Sequence, residues 1–251
     1  MDKNIFSRQL SNFIQDKMAP SPTGFITELF PAEKICLAVL TKKEQKQLEG
    51  YKLNKRRCEW FSGRFAGKKA IQEYLHNKDN ILISLAEIEI LNREDGRPYF
   101  NSPGHLSLDI SISHSRDYAI SLVAERPCGI DIQRAEKTLL RVAERFCSRG
   151  EMELLQQGED PFIIQLTKLW AAKEALQKAV TATGPMPGFL EIRLQSIERE
   201  NEGEVFQLHC KEIEEATVYS AGIQLVDNYA LAFCLLNSKQ SGGALCQSYQ
   251  K

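Results

Sequence analysis

Two short segments carry residue types that suit phosphoryl chemistry. Residues 129–133 read Gly-Ile-Asp-Ile-Gln and predict a strand with Asp131 and Gln133 on one face, because side chains alternate along a strand. Residues 170–178 read Trp-Ala-Ala-Lys-Glu-Ala-Leu-Gln-Lys. They predict a helix on which Glu174 and Lys178, four residues apart, share a face. An acid on a strand and an acid on a helix, with lysines beside them, favour binding of a divalent metal ion and a phosphate ester.

The metal that fits this donor set is Mg²⁺, which prefers hard oxygen ligands and usually keeps several waters. Asp131 and Glu174 supply two carboxylates, and Gln133 supplies a neutral oxygen or holds a coordinated water. Lys173 and Lys178 neutralise the charge that develops on phosphate. Taken singly, Asp131 is better explained as a strand-end acid and the lysine–glutamate segment as a solvated helix face. Taken together, in this order, they favour the metal site.

Composition narrows the class of protein. The formal net charge is −1, so no global field attracts nucleic acid or a membrane. Residues 42–69 nevertheless contain ten Lys and Arg against three Glu, which indicates a local surface for an anionic ligand. No apolar run approaches the roughly 18 to 20 residues of a membrane span, and the first 20 residues lack the apolar region of a secretory signal. The seven cysteines are scattered without a C-x-x-C pair, which predicts reduced thiols in a cytoplasmic protein.

The pattern along the chain predicts an α+β protein of two similar halves, although no repeat is visible in residue identity. Residues 1–32 are predicted to be an N-terminal extension and residues 238–251 a polar tail. Between them lie an N-terminal subdomain, 33–126, and a C-terminal subdomain, 127–237. Helices are predicted at 42–76, 139–155 and 162–180. Strands are predicted at 35–40, 88–91, 108–113, 118–124, 129–133, 190–194, 205–209, 219–225 and 229–235.

With these motifs the chain resembles a 4′-phosphopantetheinyl transferase of the surfactin-synthetase type. That family carries a Gly-(Ile/Val)-Asp-x-Glu strand and, about 40 residues later, a Trp-x-x-Lys-Glu-(Ala/Ser)-x-x-Lys helix, and both are matched here. Shorter matches lie at Arg56-x-x-Glu59-Trp60-x-x-Gly63-Arg64, Gly96-Arg97-Pro98, Ser111-Ile112-Ser113-His114-Ser115, and Phe146-Cys147-Ser148 with Glu151. The resemblance covers about residues 45–235.

The resemblance implies a fold of two subdomains related by a pseudo-two-fold axis, working as a monomer with its site in the cleft between them. It implies transfer of the 4′-phosphopantetheine arm of coenzyme A (CoA) to a serine of an apo carrier protein, which releases 3′,5′-ADP. Asp131 and Glu174 are expected to hold Mg²⁺, with Glu174 as the base and Lys178 assisting transfer. The implied CoA-binding residues are Lys52, Arg56, Arg64, Arg97, Ser113, His114 and Lys173.

One departure from the family concerns Gln133, where many members have Glu. A neutral side chain removes one negative charge from the metal site and is expected to weaken Mg²⁺ binding without abolishing activity. The carrier remains open among fatty-acid, polyketide and nonribosomal-peptide types. Two other functions also remain open: a non-catalytic homologue that binds CoA or a carrier protein, and a metal-dependent pyrophosphatase that releases free phosphopantetheine.

Overall fold

The computed structural model of the chain describes residues 22–31, 36–101, 108–200, 203–210 and 217–236. The chain divides into two compact units, Met1–Glu125 and Arg126–Lys251. In each unit one long helix packs on an antiparallel sheet, which confirms the predicted α+β class. None of the helices in the described ranges combines the length and the apolar character needed to cross a bilayer.

The first unit places its long helix on a three-stranded sheet of order β1-β5-β4. Its described elements are β1 (Thr23–Glu28), α1 (Cys36–Val39), α2 (Lys42–Glu49), α3 (Asn54–Asp79), β2 (Ile90–Asn92), β3 (Pro98–Phe100), β4 (Asp109–Ser115) and β5 (Tyr118–Ala124). Strands β2 and β3 form a separate hairpin. Gly63 and Gly67 let α3 approach this sheet and hairpin closely. A Cβ at Gly63 would lie 3.0 Å from Ile112 of β4, and a Cβ at Gly67 would lie 2.8 Å from Ile90 of β2.

The second unit places its long helix on a five-stranded sheet of order β6-β10-β9-β8-β7. Its described elements are β6 (Cys128–Arg134), α4 (Thr138–Val142), a 3₁₀ turn (Ala143–Arg145), α5 (Arg149–Leu155), α6 (Phe162–Val180), β7 (Ile192–Glu200), β8 (Gly203–Cys210), β9 (Val218–Val226) and β10 (Tyr229–Leu235). The predicted strands at 129–133, 205–209, 219–225 and 229–235 are confirmed within a few residues.

Several sequence predictions are wrong in detail. Strand β1 lies inside residues 1–32, which are predicted to be an extension, and it pairs with β5 along its whole length. The predicted strand at 35–40 contains the short helix α1, since a short apolar run does not distinguish the two structures. The predicted helix 42–76 is interrupted between α2 and α3, and the predicted helix 139–155 is divided by the 3₁₀ turn. The predicted polar tail lies outside the described residues.

A buried ion pair anchors α3 in the first unit. Lys68 and Glu44 have no exposed side-chain surface, and Lys68 Nζ lies 2.5 Å from Glu44 Oε2. The ammonium also donates to the carbonyls of Val39 (2.6 Å) and Leu85 (3.0 Å). The two charges are therefore paired and hydrogen-bonded, which is the condition under which charges can be buried.

The carboxylate of Glu44 is held in turn by backbone N–H groups. It accepts from Thr41, with which it forms a capping box at the start of α2, and from Ile90 at the start of β2. The pair thus joins α3 to α2, to the segment before β2 and to β2 itself.

The second unit contains the same arrangement. Lys173 on α6 is fully buried and lies 2.7 Å from Glu151 Oε1, and it donates to the carbonyls of Phe146 (2.7 Å) and Phe189 (3.1 Å). Burial acts to raise the pKa of Glu151, but Lys173 and two backbone N–H groups hold that pKa below its ordinary value.

The matching extends to the backbone partners of the acid. Glu151 forms a capping box with Ser148 at the start of α5, and it accepts from the N–H of Leu194 on β7 at 2.8 Å. Lys68 and Lys173 therefore hold equivalent places on the two long helices. We call each lysine, its glutamate and their backbone partners the lysine clamp of that unit.

Strand β6 approaches helix α6 more closely than any side chain at residue 129 would allow. A Cβ at Gly129 would lie 1.9 Å from the carbonyl oxygen of Ala175 and 2.7 Å from the backbone nitrogen of Ala179. Both of these are backbone atoms of α6, which a rotamer change cannot move. Glycine at this position therefore sets the distance between β6 and α6.

We predict that Lys68→Met lowers the free energy of unfolding by about 3 kcal/mol, because it leaves the buried Glu44 carboxylate without its counter-charge. Glu44→Gln should also destabilise the protein. The double variant Glu44→Gln/Lys68→Met should lose less than the sum of the two single losses. Urea unfolding of the four proteins measures this, and strict additivity would contradict a coupled pair.

We predict that Gly129→Ala destabilises the protein by about 3 kcal/mol, at the upper end for overpacking, because the clash is with backbone. Gly150→Ala is the matched control, since a Cβ at Gly150 meets nothing within 4 Å. That control should be neutral or slightly stabilising within α5. Thermal and urea unfolding compare the two, and equal stability of both variants would refute the close approach.

Candidate active site

The structure brings three of the predicted residues together where β6 lies on α6. Asp131 on β6 is buried, and its Oδ1 lies 2.7 Å from Nζ of Lys178 on α6. The same ammonium lies 3.5 Å from Glu174 Oε2 and donates to the carbonyl of Ile130 at 3.1 Å. The side chains of Glu174 and Lys178 keep about a quarter of their surface exposed, so the cluster is open to solvent on one side.

The two carboxyl groups perturb one another. Burial and the neighbouring charge of Asp131 raise the pKa of Glu174 to about 7, against the opposing effect of Lys178. A carboxyl group with a pKa near neutrality can accept a proton from a substrate hydroxyl at physiological pH. Strongly perturbed acids of this kind cluster at functional sites.

Gln133 lies on β6 two residues beyond Asp131, so both point to the same face of the strand. Its Nε2 donates to the carbonyl of Arg134 at 3.1 Å. Whether Gln133 contributes to a metal site stays a prediction, because this bond engages only its amide nitrogen.

The cluster has the donors that a divalent cation needs. Two carboxylates converge, and the pKa of Glu174 is raised in part by the negative charge of Asp131, which a bound cation would offset. Hard oxygen donors of this type suit Mg²⁺. Over the described ranges no group of three or more His, Cys, Asp or Glu is arranged to hold a metal ion. The site therefore offers two carboxylates, and further ligands would come from water, Gln133 or a substrate phosphate.

The predicted role of Lys173 in binding CoA phosphates is wrong. Its ammonium lies in the lysine clamp of the second unit, with no exposed surface from which to reach a ligand. Lys173 is next to Glu174 in sequence, but neighbouring residues of a helix point about 100° apart. Lys173 consequently faces the core where Glu174 faces the cluster.

Arg64 is the most deeply placed of the predicted CoA-binding residues in the first unit. Its guanidinium donates to Asn92 Oδ1 and lies over the Trp60 ring, with Cζ 5.0 Å from the ring centroid. Burial lowers the pKa of Arg64 to about 10, and Glu44 and Tyr51 oppose that shift. Within the described part of the chain, Arg64 Nε and Trp60 Nε1 are buried without a hydrogen-bond acceptor. Two such donors favour an acceptor supplied by a ligand.

The other basic residues predicted to bind CoA in this unit are either exposed or already in an ion pair. Arg97 forms an ion pair with Asp109 (2.5 Å). Arg56 is largely exposed and contacts Glu59 at 3.2 Å, and Lys52 is exposed. All three remain predicted CoA-binding residues.

The predicted strand at 108–113 is longer in the structure and includes both Ser113 and His114. Both lie within β4, where Ser113 pairs with Ile120 and His114 with Ala119, and the turn of this hairpin is formed by Arg116 and Asp117. Because side chains alternate along a strand, Ser113 and His114 point to opposite faces of the sheet. Both remain predicted CoA-binding residues.

Sequence reasoning missed the residues of the lysine clamps. Glu151 is named above with the segment Phe146-Cys147-Ser148, but no function is predicted for it. Glu44 and Lys68 enter only the charge count of residues 42–69. A signal for them exists, because Thr41-x-x-Glu44 and Ser148-x-x-Glu151 both have the pattern of a helix capping box. That pattern identifies the acids but not the distant lysines that pair with them.

Comparison with known proteins places the chain in a family. The family model of the 4′-phosphopantetheinyl transferase superfamily matches residues 127–234. The holo-[acyl-carrier-protein] synthase of Staphylococcus saprophyticus is 33% identical over 90 residues, which cover 36% of this chain and 77% of that protein. Enterobactin synthase component D of Salmonella typhi is 29% identical over 89 residues, which cover 35% of this chain and 38% of that protein.

Among solved structures, the holo-(acyl-carrier-protein) synthase of Bacillus anthracis in complex with CoA (3′,5′-ADP) is 28% identical, with a TM-score of 0.36. The likeness covers 41% of this chain and 91% of that one. On the family model and the Staphylococcus relative, this chain belongs to the 4′-phosphopantetheinyl transferase superfamily.

Proposed function

We propose that this protein transfers the 4′-phosphopantetheine arm of CoA to a serine of an apo carrier protein and releases 3′,5′-ADP. The observation that carries the proposal is the cluster of Asp131, Glu174 and Lys178, which lies wholly within the matched residues 127–234. The name of the Staphylococcus relative, holo-[acyl-carrier-protein] synthase, describes the same chemistry.

The transfer needs a group that accepts the serine proton and a positive charge near the phosphates, and the chain supplies both. The serine hydroxyl of the carrier attacks the phosphorus that bears the pantetheine arm, and its proton passes to Glu174. A new P–O bond forms to serine while the pyrophosphate P–O bond breaks, so that 3′,5′-ADP leaves with the bonding electrons. Lys178 is placed one helical turn from Glu174, where its positive charge can stabilise the charge on the phosphates.

We propose Mg²⁺ as the cofactor, held by Asp131 and Glu174, with Gln133 as a weaker neutral ligand or a holder of coordinated water. When bound, the ion would neutralise the pyrophosphate and polarise its oxygens. Glu174 then has a second task besides accepting the serine proton, because its carboxylate would hold the ion together with that of Asp131.

We further propose that the first unit supplies residues for the 3′-phosphate and adenine end of CoA. Arg64 is the strongest of these, because its Nε and the neighbouring Trp60 Nε1 are buried donors without an acceptor in the described chain. Arg56 and Lys52 add positive charge at the surface. The expectations of a monomer and of a cytoplasmic location remain predictions.

The function is tested by intact-mass analysis of an apo carrier protein incubated with this protein, CoA and MgCl₂. We expect the carrier to gain one phosphopantetheine arm, and EDTA to abolish the gain. Glu174→Gln should lower the rate at least 100-fold, which is typical for the loss of a general base, while CoA binding persists. Glu73→Gln is the matched control, because it makes the same change at an exposed position of α3.

The outcomes separate the three candidate functions. No mass gain on fatty-acid, polyketide and peptide carriers, despite CoA binding, would indicate a non-catalytic binding protein. Release of free phosphopantetheine without any carrier would indicate a pyrophosphatase. A mass gain that persists in EDTA would refute the metal requirement while leaving the transfer itself established.

The pKa of Glu174 gives a separate prediction for the metal-free protein. Carboxyl ¹³C NMR should show one glutamate titrating near pH 7, absent from Glu174→Gln. Asp131→Asn should lower this pKa toward the ordinary value, since the neighbouring negative charge is removed while burial remains. A carboxyl of raised pKa stabilises the fold below its ordinary pKa, and that contribution is lost as the pH rises through 7. An unshifted resonance in Asp131→Asn would contradict the coupling.

A further inference from the structure

The ammonium of Lys178 lies among the same oxygen atoms that a metal ion would use. It contacts Asp131 Oδ1 at 2.7 Å, the carbonyl of Ile130 at 3.1 Å and Glu174 Oε2 at 3.5 Å. A lysine that served only to bind phosphate would be expected to point away from the acids, toward the ligand. Here it neutralises the acid pair.

We propose that Lys178 occupies the divalent-metal position in the free enzyme and leaves it when CoA binds, so that metal binding depends on CoA. The inference rests on the proposed function, because it takes Asp131 and Glu174 as the metal ligands. Lys178 would therefore act twice: it first neutralises the two acids in the free enzyme, and it then binds phosphate when CoA is present.

Electrostatic repulsion supports this exchange. A divalent cation and an ammonium that share one carboxylate would lie within a few ångströms of each other in a site that is mostly buried, where their repulsion is screened less than in water. The two cations therefore compete for Asp131. Removal of the lysine charge should tighten metal binding to the free protein by on the order of tenfold or more.

The pyrophosphate of CoA gives the lysine another anionic partner. The Lys178 side chain is 26% exposed, so it can turn toward a phosphate at the open side of the cluster without crossing the core. Its flexible stem has the reach for such a change. Once the ammonium is bound to phosphate, it no longer competes with the metal for the two carboxylates.

Reciprocal coupling follows from this competition. If CoA strengthens metal binding by withdrawing Lys178, the metal must strengthen CoA binding by the same factor. A protein without the lysine charge should bind the metal well in the absence of CoA, and CoA should then add less. The size of this coupling in the wild type and in the variant is therefore the direct measure of the proposal.

The experiment is titration of the full-length protein with MnCl₂ at pH 8.5, followed by EPR of free Mn²⁺ with and without CoA. Wild-type protein should bind Mn²⁺ weakly alone and at least tenfold more tightly with CoA. Lys178→Met should bind Mn²⁺ at least tenfold more tightly than wild type without CoA, and CoA should change its affinity less. Lys178→Gln is a second variant should the methionine variant fold poorly.

The matched control is Lys69→Met, on α3 of the first unit. Lys69 follows the clamp residue Lys68 as Glu174 follows Lys173. Its Nζ contacts Gln72 at 2.9 Å within the first unit, whereas Asp131 and Glu174 belong to the second. Its Mn²⁺ affinity should equal that of the wild type. A general effect of lowering the protein's charge would instead appear in both variants.

Two failures can be told apart. Equal Mn²⁺ affinity of wild type and both Lys178 variants in the absence of CoA would overturn the exchange and leave the metal site intact. No Mn²⁺ binding by any of these proteins, even with CoA, would remove the metal from the proposed function and this inference with it.

Discussion

The buried lysine–glutamate pair of each unit is the interaction on which the rest of the fold depends. A lysine with no exposed surface is costly unless every donor is used, and Lys68 and Lys173 each contact one carboxylate and two carbonyls. Those partners lie on segments that are distant in sequence. The clamp therefore fixes the rotation of a long helix about its axis, and this rotation decides which helix residues face the sheet and which reach the surface.

The two clamps also reveal an internal repeat that residue identity conceals. One turn after each clamp lysine, Gln72 donates to the carbonyl of Ile83 and Gln177 to that of Pro187, both at 2.7 Å. The β4–β5 hairpin begins its turn with Arg116 and the β9–β10 hairpin begins its turn with Asp227, and both residues have φ 53°. These correspondences place Lys69 and Glu73 of the first unit where the second unit has Glu174 and Lys178. The order of acid and lysine is thus reversed between the two helices. The acid next to the clamp lysine, Glu174, is replaced in the first unit by Lys69.

The strands show the same divergence. Phe25 pairs with Ser121, the third residue after the start of β5, and Asp131 pairs with Ala232, the third residue after the start of β10. Phe25 thus stands where the second unit has its buried acid, and its ring contacts Phe65 of α3 edge-on. One fold therefore supports an apolar contact in one unit and a charged cluster in the other, because the clamp and not the cluster maintains the helix position.

Much of this site could be predicted from the sequence, and the remainder could not, for reasons of distance along the chain. Asp131, Glu174 and Lys178 follow from the alternation of a strand and the period of a helix, both of which are local. Lys173 is assigned wrongly because its partner Glu151 and its carbonyl acceptors come from three other segments. Strand β1 is missed because its pairing partner β5 lies about 95 residues later in the chain. Strand β4 extends beyond the predicted residue 113 to Ser115, because polar residues at a strand end do not show how far the pairing with β5 continues.

Gly129 of the strand motif determines how closely Asp131 approaches helix α6. If Asp131 and Lys178 are to share a short contact, β6 must lie against the backbone of α6, and at Gly129 the strand comes too near for any side chain. That closeness buries Asp131, and burial is why its charge must be balanced from nearby. A residue two places along the strand, Gln133, is partly exposed and carries no such requirement. The order of residue types in this segment, small, then acidic, then polar, thus runs from the buried Gly129 and Asp131 to the partly exposed Gln133.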